Sequence, residues 1–86
     1  MPPTIAPDTV RARVRLYIQE TFLYMRPDVA LGDDDALLAR GILDSLGMME
    51  LLEFLESEYQ IQIGDGDVTE ENLGSVNAIA GYVARH

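Results

Sequence analysis

Apolar residues recur along this chain at the spacing of one helix face. Val10, Val14, Tyr17, Ile18, Thr21 and Met25 follow a period of about 3.6 residues and predict a first helix. Asp8 stands ahead of them as a candidate N-cap. Pro27 predicts the end, because the residue before a proline avoids the α region. Arg11 and Arg15 fall off the stripe and are expected in solvent. The clearest element runs from residue 46 to 59, opened by Ser45. There Met48, Leu51, Leu52, Leu55 and Tyr59 project onto one side, within about 100° of arc. Leu46, Met49, Glu50, Glu53 and Ser57 fall on the other.

Between these two helices lies a long connection, residues 26–44. It carries Gly32, the acidic run Asp33, Asp34 and Asp35, and then Leu37, Leu38, Ile42 and Leu43. Loops this long are uncommon in compact domains unless they serve function. The leucines are expected to pin it over the core, with a short helical turn within 36–39. Ile61 and Ile63 alternate with glutamines but have no partner strand, so they predict an extended segment with two apolar anchors. Gly64, Asp65, Gly66 and Asp67 predict a turn. Thr69 is placed to cap one short helical turn. Ser75 is placed to cap a last helix whose Val76, Ile79 and Val83 face inward. The fold class is therefore all-α. The expected form is a small four-helix bundle, three main helices plus one short helix, with a long loop between helices 1 and 2. Pro2, Pro3 and Pro7 mark residues 1–7 as a flexible N-terminal arm, and residues 8–86 read as one domain.

Composition narrows the function. The apolar fraction of 48% argues against disorder. The chain has no Cys, hence no disulfide, thiolate metal site or thiol nucleophile. Its net charge is -9, from 15 acidic residues against 6 basic ones, all Arg. That field repels nucleic acid and anionic membranes and attracts basic protein surfaces. The N-terminal residues lack the basic start and apolar core of a signal peptide. No apolar run approaches the ~20 residues needed to span a bilayer. A soluble, cytoplasmic, monomeric protein is expected.

Ser45 follows Asp44 and begins the second helix, at the positive end of its dipole and beside unpaired backbone N–H groups. Such a position favours phosphate. By itself, Ser45 also reads as a plain helix cap. Catalysis is not expected. A serine nucleophile needs a base, and the only His is the terminal His86. Leu43 also breaks the G-x-S-x-G elbow. Asp65, Asp67 and Thr69 alternate like a calcium loop, but Glu70 stands where the loop requires Gly, so no metal site is expected. An unmodified acidic helical module that binds other proteins remains open.

The stretch GILDSLGMMELLEFLESEYQIQI resembles the phosphopantetheine-attachment region of acyl and peptidyl carrier proteins. Asp44-Ser45-Leu46 matches their Asp-Ser-Leu signature at the head of an amphipathic helix. Glu50-Leu51, Glu56, Glu58 and Tyr59 add to it, and the order of elements from about residue 10 to 83 follows the same bundle. The resemblance implies a 4'-phosphopantetheine arm joined to Ser45, flanked by Asp44 of the motif, holding an acyl or aminoacyl cargo as a thioester. It implies a phosphopantetheinyl transferase, an acyl- or aminoacyl-loading ligase, and downstream transferases or synthases as partners. Leu46, Met49, Glu50, Glu53 and Glu56 would meet those enzymes. Many fatty-acid carriers have an acid where this chain has Gly47, and an apolar residue where it has Glu53. The runs at 41–46 and 71–76 look most like discrete aminoacyl, peptidyl or D-alanyl carriers of specialised biosynthesis. Gly47 is expected to permit close approach of the arm or a partner.

Overall fold

The computed structural model describes residues 6–85. Its elements are α1 (Pro7–Thr21), α2 (Ser45–Tyr59), a 3-10 turn (Asp65–Asp67), α3 (Glu70–Leu73) and α4 (Val76–Ala84). This is the expected all-α bundle of three main helices and one short one, with a long loop after the first. Residues 1–5 of the expected arm, and His86, lie outside the described residues.

α1 starts earlier than Asp8 suggests. Ala6 takes the N-cap position in extended conformation, and Pro7 occupies the first helical turn. Proline suits that place because its missing N–H is an orphan there anyway. The Ala6 carbonyl accepts from Thr9 N and Val10 N at 3.1 and 3.2 Å. Asp8 does not cap; it pairs with Arg11 one turn on.

α1 also ends sooner, at Thr21 and not at Pro27. Leu23, not Met25, completes the buried stripe: Leu23 is 5% exposed and Met25 77%. The chain turns inward there, with Phe22 N and Leu23 N both donating to the Ile18 carbonyl, at 2.9 and 3.2 Å. Ending the helix there takes the Leu23 side chain out of water, which favours the turn.

The two arginines expected in solvent are held instead. Arg15 donates to the Leu31 carbonyl at 2.6 Å and pairs with Asp33. Arg11 donates to Asn77 Oδ1, whose own amide donates to Asp34 Oδ1 at 2.7 Å. Thus the acidic start of the loop is tied to both α1 and α4.

The core is built from Val10, Val14 and Ile18 of α1, Leu51 and Leu55 of α2, Leu73 of α3, and Val76, Ile79 and Val83 of α4. The loop adds Leu31, Leu37, Ile42 and Leu43, while Leu38 is half-exposed. The turn expected at 36–39 forms as a single loop turn, with Arg40 N donating to the Ala36 carbonyl at 2.9 Å. Thr69 and Ser75 cap α3 and α4 as their positions predict, accepting from Asn72 N and Ala78 N, each at 3.1 Å. Ile61 and Ile63 pack against the core from an extended segment. That segment leaves α2 through Gln60, whose φ of 55° is left-handed. Tyr82 is buried and its hydroxyl donates to Asp67 Oδ2 at 2.8 Å, so that acid holds the 3-10 turn to α4.

Candidate functional site at the head of helix 2

The loop delivers the chain to α2 in a defined geometry. Leu37 N donates to the Gly74 carbonyl at 2.9 Å, and the Leu37 carbonyl accepts from Ile42 N and Leu43 N at 2.9 and 3.0 Å. Gly41 makes the reversal between them with a φ of 70°. Its carbonyl accepts from the Arg26 guanidinium at 3.1 Å. Buried Ile42 and Leu43 then set the direction in which Asp44 and Ser45 emerge.

Asp44, not Ser45, is the N-cap. Its backbone is extended, and its Oδ1 accepts from Gly47 N at 2.7 Å. Either residue type caps well; the backbone break falls at Asp44, so Ser45 becomes the first helical residue. Its side chain is exposed and released from capping. Among the described residues, Ser45 N and Leu46 N donate to no protein acceptor. An anion on the Ser45 oxygen would therefore sit beside free N–H groups at the positive end of a 15-residue helix. No acid lies in the first turn, and the nearest carboxylate, Asp44 at the cap, is held by Gly47 N. The residues present fit a phosphoester.

Gly47 is not an open approach. It is buried, and a Cβ there would lie 3.2 Å from both Asp44 Oδ1 and Phe22 Cε1. The close neighbour it admits is the chain's own Phe22. One helical turn from Ser45, Met48 instead lines an apolar groove of about 420 Å³, together with Leu37, Leu38, Val68 and Leu73.

The outer face of α2 brings together four of the five residues expected to meet partners. Leu46 is 69% and Met49 57% exposed, and Glu50 and Glu53 lie beside them. Glu56 stands at the edge of this face and is half-buried, its Oε2 accepting from Ile63 N at 2.9 Å. Between α1 and α2 runs a second cleft of about 460 Å³, lined by Tyr17, Glu50, Glu53, Phe54, Ser57 and Glu58. Burial pushes the Tyr17 hydroxyl up from its ordinary value, and Glu50 and Glu53 push it further. This cleft was not legible in the helix patterns, because it needs the register of α1 against α2. Phe22, four residues past Ile18, did carry a periodicity signal for its inward position.

Residues 13–83 match the family described as Phosphopantetheine attachment site. A D-alanyl carrier protein of Streptococcus suis (strain 98HAH33) is 34% identical over 70 residues, which is 81% of this chain and 85% of that relative. The matched region spans α2 whole, with the exposed serine at its head. The family's cofactor is 4'-phosphopantetheine, held covalently on a serine. No described helix is long and apolar enough to cross a membrane. On this fold, this serine-headed helix and this match over most of its length, the chain belongs to the phosphopantetheine-attachment family of carrier proteins.

Proposed function

We propose that Ser45 is the attachment point and that the chain carries an aminoacyl cargo, D-alanine or a similarly small amino acid. The observation that carries the first part is the exposed Ser45 side chain on the first turn of α2, freed from capping by Asp44. The cargo rests on the likeness to the D-alanyl carrier protein. When bound, the arm supplies a thiol that holds cargo as a thioester. With coenzyme A as donor, Ser45 Oγ would form the new bond to the phosphopantetheinyl phosphorus as that phosphorus's bond to the departing adenosine 3',5'-bisphosphate breaks, and the hydroxyl would give up its proton. Asp44 Oδ1 is engaged with Gly47 N, and in this reading a base on the modifying transferase takes that proton. The chain itself thus does no bond chemistry in this reading.

Asp44 holds the first turn in place, and the free amides of Ser45 and Leu46 stabilise the negative charge. Leu46, Met49, Glu50 and Glu53, with Glu56 at their margin, form the face that meets the transferase, the loading ligase and later enzymes. Charge steers the encounter, and the two exposed apolar side chains add a small contact area. Tethering raises the effective concentration of cargo at each docked enzyme.

The test is direct. Incubation with coenzyme A and a promiscuous phosphopantetheinyl transferase should add one phosphopantetheine mass, mapped to Ser45, and Ser45→Ala should take up none while remaining folded. No uptake across several transferases favours the unmodified interaction module. Loading of the holo form by an adenylating ligase with D-alanine, against a fatty acid as competitor, decides the cargo. Glu50→Lys with Glu53→Lys should slow that loading without unfolding the domain; an unchanged rate removes the docking face.

A further inference from the structure

We propose that Arg26 is the counter-ion of the phosphodiester formed at Ser45, and that it leaves the Gly41 carbonyl to take that role. The inference rests on the reading of Ser45 above and adds a positioning residue to it. The chain has no Lys and six arginines. Four of them pair with carboxylates. Arg26 pairs with none among the described residues, although the net charge is -9. Its Nη1 donates to the Gly41 carbonyl at 3.1 Å, and the residue is exposed.

Where Arg26 stands gives that charge a use. Two contacts lay residues 22–26 beside residues 41–47, running the opposite way. At one end the Phe22 ring would meet a Cβ on Gly47 at 3.2 Å. At the other, Arg26 holds Gly41. Ser45 lies between these two points along the chain. Gly41 stands four residues ahead of it, a span of at most about 14 Å. The span is shortened here, because Ile42 N and Leu43 N both return to the Leu37 carbonyl. A phosphodiester would project from Ser45 Oγ, and no carboxylate holds the Arg26 side chain away from it. A guanidinium is a planar fork of several donors, of which the Gly41 carbonyl uses one. Phosphate oxygens accept from such a fork in parallel, through charge-assisted bonds about twice as strong as a neutral one. The phosphate therefore outcompetes the carbonyl. Arg40, beside Gly41, is not equivalent, since Asp35 holds its Nη1 at 2.9 Å. The amides of Ser45 and Leu46 supply only partial charge, and Arg26 adds a whole one.

The test compares the apo and holo chains by NMR, with the arm added from coenzyme A and its place at Ser45 confirmed by mass. The Arg26 Nε–Hε signal should move on attachment. So should the amide of Ile42, whose peptide carries the Gly41 carbonyl. The phosphorus resonance of holo Arg26→Gln should differ from that of the holo wild type. Arg85→Gln, the same change in net charge at the end of α4, should leave it in place. Attachment should also favour folding of the wild type over Arg26→Gln, by up to about fivefold in the equilibrium constant, the span of an exposed ion pair. An unmoved Arg26 signal, or a phosphorus resonance that ignores Arg26→Gln or answers equally to Arg85→Gln, would each overturn the proposal. No uptake at Ser45 removes the carrier reading and this inference together; uptake with a silent Arg26 removes this inference alone.

Discussion

The ring of Phe22 lies against Gly47, close enough that a Cβ on the glycine would meet Phe22 Cε1 at 3.2 Å. This contact joins the end of α1 to the first turn of α2. An acid at position 47, as in many fatty-acid carriers, would push its carboxylate toward the ring and toward Asp44. Gly47→Asp should therefore destabilise the chain by about 1–3 kcal/mol, in the range of overpacking. In a double-mutant cycle the same change should cost less on a Phe22→Ala background. Urea unfolding measures both; additive effects would separate the ring from the glycine.

Asp44 donates no chemistry, yet it holds the turn that presents Ser45. Asp44→Ala loses the bond to Gly47 N and should cost about 0.5–2 kcal/mol. Asp44→Asn, also a good cap, should keep most of that stability. If arm uptake falls in Asp44→Ala and recovers in Asp44→Asn, the cap geometry matters to the transferase and not the charge.

Gly41 tests backbone against space. Nothing lies within 4 Å of a Cβ built there, but its φ is left-handed at +70°. Gly41→Ala should cost about 1–2 kcal/mol from conformation alone. Gly41→Asn should cost less, because asparagine visits that region more readily. Thermal melts of the two variants make the comparison.

Acid should loosen the front of the loop. The Asp35 carboxyl is held below its ordinary value, first by the hydrogen bond from Gly32 N and then by Arg40. Because the folded value is depressed, its contribution is present above the unfolded value of 3.8 and is lost as pH falls through the folded one. Carboxyl titration by NMR should show an Asp35 midpoint below that of a free aspartate. Faster exchange of the Gly32 amide should accompany its protonation. Asp35→Asn should abolish the pH step at Gly32.

Helix 2 was legible because one face of it is buried and the other is not, and the period alone separates them. The residues proposed for docking, Leu46, Met49, Glu50 and Glu53, came with it, since they share a helix face by arithmetic. The end of α1 was not legible: Met25 fits the period and Leu23, five residues past Ile18, does not, yet the inward turn after Thr21 buries Leu23 and leaves Met25 exposed. Asp44 and Ser45 are both good caps in adjacent places, so pattern could not say which one breaks the helix. Glu56 reaches Ile63 only because Gln60 turns left-handed, a tertiary outcome with no local signal. Arg15 looked solvated because its partners, Leu31 and Asp33, come from a loop with no periodicity to read.

The acids of α2 begin at Glu50, and its first turn carries none. One carboxylate, Asp44, sits at the positive end of the dipole, while four, Glu50, Glu53, Glu56 and Glu58, follow along the helix, so its charge is lopsided from end to end. Such an object feels a torque as well as a pull near a basic surface. The domain would arrive already rotated, with the acids of α2 leading onto the cationic patch and Ser45, just over one turn ahead of Glu50, at the edge of the contact. Orientation is then set during approach, and little searching remains after contact.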